Sequence, residues 1–134
     1  GYRFYFSPDI LSWHAARKTL RGQLNQKWGN GYWIGRTMLI QPRCFAPRHL
    51  SRALFVLALA ALLALFPLWK LPLCAMLLLY GVLDIAFALK AALEAPRGRL
   101  LVFICLPFLF PVVHIVYGAG TLCGLLTGKA SEHA

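Results

Sequence analysis

Asp84 and His114 are the acid and the imidazole that lie inside the long apolar stretches of this chain. Ionisable groups in such surroundings are functional positions by default: a proton relay, a helix–helix polar contact, or a contact with a substrate crossing a bilayer. Whether the two meet depends on where their helices start. On straight helices Asp84 lies about 9 Å and His114 about 21 Å from the same end, and they miss. If the last helix begins at Phe108, His114 comes to about 9 Å and the two become neighbours. A structural polar contact ranks first among their uses, ahead of passage of a lipid-linked substrate and of proton transport.

The first third of the chain holds little else that could react. Asp9 is its one carboxylate, so it has no pair for acid–base work or for a divalent ion. Ser7, Ser12 and His14 lack the setting of an activated nucleophile, and there is no Gly-rich phosphate loop. Cys44, Cys74, Cys105 and Cys123 show no C-x-x-C spacing, which predicts reduced thiols and no metal site. The region is rich instead in cations and indoles. Trp13, Ala16, Leu20, Leu24 and Trp28 recur at steps of three or four, with Arg17, Lys18, Arg21 and Lys27 opposite.

The elements that must carry these residues follow from composition. Among 134 residues, 14 Lys+Arg stand against 4 Asp+Glu, a net charge of +10, while 60% are hydrophobic and 13% charged. Mean hydropathy is +0.65. A disordered basic tail would be poor in apolar residues. A soluble nucleic-acid binder would disperse them, whereas here nine cations precede Ala53 and the apolar residues crowd behind it. The class expected is mainly α and integral to a membrane, without nucleic acid as a partner. Residues 2–6 form a short strand closed by Ser7-Pro8-Asp9. Residues 12–52 form a basic amphipathic interfacial segment whose helix breaks at Gly29-Asn30-Gly31. Residues 53–128 supply about three transmembrane helices, at 53–69, 71–89 and either 100–126 or 108–126, before a tail at 129–134. The last block is one span kinked at Pro107 and Pro111, or an interfacial piece followed by a span. Gly120 and Gly124 form a G-x-x-x-G pair that lets helices pack closely.

Lys90, Arg97 and Arg99 join the N-terminal cations, leaving Lys70 and Lys129 on the other side. The positive-inside rule then places the N-terminal part and residues 90–99 in the cytoplasm and the C-terminus outside. An opening strand with no partner and no signal peptide behind it predicts a piece of something longer.

The order of short motifs is more specific than composition. G-Y-R-F-Y-F-S-P-D-I is followed by W-H, A-R-K-T-L, Q-L-N-Q-K-W-G-N-G-Y-W-I-G-R-T, P-R-H-L, apolar spans and H-I-V-Y-G-A-G-T-L-C-G-L-L. Across nearly the whole chain this resembles the C-terminal region of bacterial membrane-bound family 2 glycosyltransferases of the succinoglycan, exopolysaccharide type. The resemblance implies that residues 1–11 end a nucleotide-sugar-binding domain of GT-A fold, with Pro8 as its strand-end proline. It implies that His14, Arg17, Gln26, Lys27, Trp28 and Trp33 lie near the donor diphosphate or acceptor. It further implies a multi-pass protein of the bacterial inner membrane that moves a sugar from a nucleotide-sugar to a lipid-linked or polysaccharide acceptor. The segment around Gln23, Gln26, Lys27 and Trp28 departs from the Q-x-x-R-W of processive relatives, so single-sugar transfer is expected. The family's Asp-x-Asp site and catalytic Asp are not in this chain. The divalent metal, Mg or Mn, therefore belongs to a catalytic domain outside it, and this chain alone is expected to be inactive. The alternative is a non-enzymatic membrane subunit or scaffold whose basic collar binds anionic lipid.

Overall fold

A computed structural model describes residues 11, 17–44 and 50–127. The strand expected at residues 2–6, His14 and the tail at 129–134 lie outside the described residues. Within them the order is α1 (Leu20–Ile40), a 3-10 turn (Pro42–Cys44), α2 (Ser51–Leu65), α3 (Leu71–Glu94) and α4 (Arg99–Thr127).

Local chemistry sets the ends of these helices. Thr19, extended at φ −113° and ψ 146°, caps α1 by accepting the Gly22 N–H on Oγ1 at 3.1 Å. Gln23 Nε2 donates to the Arg17 carbonyl at 2.9 Å and folds the preceding segment back over the first turn. The helix runs on to Ile40 and stops before Pro42. The break expected at Gly29-Asn30-Gly31 is thus absent: α1 is continuous from Leu20, and its glycines serve packing. Pro72 enters the first turn of α3, where its missing N–H costs nothing. Pro96 ends α3, and Gly98, at φ +69°, takes the left-handed position that turns the chain into α4.

Among the described residues two helices, α3 and α4, are long and apolar enough to cross a membrane. The first apolar block is shorter than expected. It yields the 15-residue α2, about 22 Å, because the chain turns at Phe66-Pro67-Leu68. The second block extends past residue 89 to Glu94, so the loop expected at 90–99 shrinks to residues 95–98. The third block is one helix through Pro107 and Pro111, with no separate interfacial piece.

α4 is the hub against which the other three helices pack. Its N-terminal half is only partly covered, with Leu100 72% and Phe108 73% exposed and no residue of 99–113 buried. Its C-terminal half is covered: Tyr117, Gly118, Gly120, Thr121 and Gly124 are buried. The cover is α1, held backbone to backbone. A Cβ on Gly31 would collide with the Tyr117 carbonyl oxygen, one on Gly35 with that of Thr121, and one on Gly124 with that of Tyr32. One on Gly120 would lie 2.5 Å from the Trp28 carbonyl oxygen. The hydrogen in place of each Cβ points at a carbonyl of the other helix, the arrangement of Cα–H···O contacts. Two G-x-x-x-G pairs therefore face each other, Gly31/Gly35 and Gly120/Gly124. Partners climb together, 31 beside 117 and 121, 35 beside 121 and 125, so α1 and α4 run parallel. Gly118 meets the Arg52 carbonyl and Val56 of α2 in the same way, while the Arg52 guanidinium lies 4.4 Å from the Tyr117 ring centroid.

Gly29 gives the contrast, since a Cβ there meets nothing within 4 Å. Gly31→Ala is expected to lower stability by roughly 1–3 kcal/mol through overpacking. Gly29→Ala should raise it by about 0.5–1 kcal/mol through helix propensity. Thermal unfolding in detergent, followed by circular dichroism, measures both; shifts of the same sign would disprove the close contact.

Candidate functional site

The polar residues of the apolar helices meet where α2, α3 and α4 approach one another. Tyr80 and Asp84 stand one turn apart on α3, and Asp84, Ala88 and Ala92 continue as its buried stripe. Leucines and other apolar side chains cover the remaining surface of α3 and are exposed. Tyr80 Oη and His114 Nδ1 share a hydrogen bond of 2.8 Å whose direction follows the imidazole tautomer. Phe55 of α2 stacks on Tyr80 at 4.8 Å, and Phe110 lies nearly parallel to the His114 ring at 6.4 Å. Asp84 is only 8% exposed, and its Oδ1 has no hydrogen-bond partner. It lines a cavity of about 540 Å³ with Tyr80, Leu83, Phe87, Phe110 and His114, and Lys90 and Glu94 border the same space.

Asp84 and His114 therefore line one cavity on helices that run to Glu94 and from Arg99, without α4 starting at Phe108. The depths expected from the sequence placed the end of α3 near residue 89. With the helix running to Glu94, Tyr80 lies about 21 Å from its end, level with His114 about 22 Å into α4. Tyr80 is the member that sequence reasoning missed. Its signal was its place one turn before Asp84, on the same face.

A second feature lies on α1. Arg17, Gly22, Asn25, Gln26, Gly29, Asn30 and Trp33 line a shallow depression of about 460 Å³. Gly22 and Gly29 leave it open, and the bond from Gln23 to the Arg17 carbonyl brings Arg17 to its rim. Three of the residues expected near substrate, Arg17, Gln26 and Trp33, are thus together. Lys27 and Trp28 do not line the depression, and the Trp28 carbonyl faces Gly120. Trp33 is 64% exposed, with the Tyr32 ring edge-on at 5.7 Å and the Arg36 guanidinium 5.9 Å from its ring centroid. A hydrogen bond with Thr127, and then one with Arg36, hold the Tyr32 hydroxyl below the usual tyrosine range. A guanidinium, two side-chain carboxamides on Asn25 and Gln26, a third on Asn30 and an open indole are groups that bind anionic and polyhydroxylated ligands.

The described carboxylates are Asp84 and Glu94, ten residues apart on α3. No group of three His, Cys, Asp or Glu among the described residues could hold a metal ion. Cys74, Cys105 and Cys123 are free thiols.

Tyr80→Phe is expected to destabilise the bundle by about 0.6 kcal/mol, the average for hydrogen bonds between membrane helices. In a double-mutant cycle with His114→Phe in detergent, a coupling energy near zero would show that the bond contributes nothing. No protein-family model, curated protein or solved structure matches this chain.

Proposed function

We propose that this chain is the membrane-anchoring, acceptor-side part of a bacterial family 2 glycosyltransferase. It presents the face of α1 to a sugar-bearing substrate at the cytoplasmic surface of the inner membrane. The observation that carries this reading is the depression holding Arg17, Gln26 and Trp33, on a basic helix locked onto an apolar one. The ordered motifs of the sequence support it independently. The amides and indole suit a sugar ring, and the Arg17 guanidinium suits a diphosphate. Among the described residues no group of three His, Cys, Asp or Glu could hold a donor-site metal, and the part proposed for this chain in transfer is to bind and to position.

The topology that fits has two crossings, α3 and α4, with both chain ends cytoplasmic. α2, at about 22 Å, falls short of the roughly 30 Å hydrocarbon core. The basic α1 packs on the C-terminal half of α4, so with three crossings it would stand at the outer face. With two, eleven cations lie inside, including Lys70 and Lys129, against Lys90, Arg97 and Arg99 outside. The positive-inside rule is obeyed and the packing of α1 is explained at once.

Two experiments check these readings. A fluorescent-protein fusion after Ala134 should fluoresce and an alkaline-phosphatase fusion after Gly98 should be active; the opposite pattern restores an outer C-terminus. In membranes carrying the full-length protein, labelled sugar from nucleotide-sugars should enter lipid-extractable material. Arg17→Ala should lower this about 10- to 100-fold, the effect of losing a charged hydrogen bond. Incorporation unchanged by deleting the gene would favour the lipid-binding scaffold instead.

A further inference from the structure

We propose that the cavity between α3 and α4 binds a lipophilic primary ammonium ion, its charge on Asp84 and its carbon skeleton along Phe87 and Phe110. This does not rest on the transferase reading, and either can fail alone.

The case starts from Asp84. A carboxyl this deeply buried is ionised only when it is paired, and its Oδ1 has no partner. The ionisable groups around it leave that role open. On α3, Tyr80 is bonded to His114, and Lys90 lies at the rim, 4.0 Å from Glu94 and well exposed. On α4, His114 gives Nδ1 to Tyr80. On α2, the Arg52 guanidinium lies over Tyr117 rather than in the cavity. Asp84 lines the cavity, and in its ionised form a carboxylate only accepts, so an occupant that pairs with it brings an N–H or O–H.

The walls choose between these. Phe87, Phe110 and Tyr80 line the same space as the carboxylate, and aromatic rings attract a cation and give a neutral hydroxyl no equal gain. An anion would meet Asp84 unshielded. About 540 Å³ lies within the roughly 300–1,000 Å³ of small-ligand pockets, room for an alkyl chain beside the ammonium. Phe87 and Leu83 are also exposed on the outer surface of α3, so the skeleton can extend toward lipid.

The test uses the full-length protein in nanodiscs and radiolabelled octylamine, with binding to empty nanodiscs subtracted. One saturable site is expected, with octanol at least about tenfold weaker because it has the donor but no charge. Asp84→Asn should weaken octylamine at least about tenfold, while Phe110→Leu, which keeps the charge and the apolar volume, should weaken it about threefold. Circular dichroism checks that each variant is folded; if Asp84→Asn is not, the octanol comparison and Phe110→Leu decide. No saturable site, equal binding of octanol, or full affinity in folded Asp84→Asn would each overturn the proposal.

Discussion

The parallel contact between α1 and α4, made by four glycines whose missing side chains admit the opposite backbone, is the constraint on which the rest of the described structure depends. α1 is a polar helix carrying Arg21, Lys27 and Arg36, with no broad apolar stripe to fasten it. Backbone approach, dispersion and Cα–H···O contacts hold it where side-chain burial would not. The same contact turns α1 so that Gln26, Asn30 and Trp33 face away from α4 into the open depression.

α4 has a different character along its length. Its C-terminal half is small-residued and covered, with Thr121 fully buried and its hydroxyl donating to the Tyr117 carbonyl at 3.0 Å. Its N-terminal half is large-residued and only partly covered. His114 stands between the two regimes, where Phe55, Tyr80 and Phe110 surround its ring. Asp84 of α3 is buried while Leu77, Leu78, Leu79 and Leu83 are exposed, the reverse of a helix on a water-soluble core.

Much of this was legible in the sequence. The helical class, the apolar blocks and the close-packing capacity of Gly120 and Gly124 follow from periodicity and residue size. The role of Gly31 was hidden because Gly-Asn-Gly reads locally as a breaker, and only the partner helix shows why a glycine belongs there. The extent of α3 was underestimated because Lys90 and Glu94 read as loop, although charged residues at spacing four are equally a helical turn. That shorter α3 set Asp84 about 9 Å from the helix end on paper, where the helix places it at about 15 Å and Tyr80 level with His114. Arg17, Gln26 and Trp33 were named through the resemblance, and their meeting on one depression required the folded-back segment before α1.

The shortness of α2 has a mechanical consequence for any bilayer that α3 and α4 would cross. A 15-residue apolar rod beside a 29-residue one offers lipid two lengths, about 22 and 43 Å. Lipid meeting α2 would thin toward it while α4 would lean to shorten its projection, and each ångström of such mismatch carries an elastic penalty of a fraction of a kcal/mol. The thinned flank would bring phosphates closer to mid-plane there than elsewhere, a local dimple set by where Pro67 stops a helix.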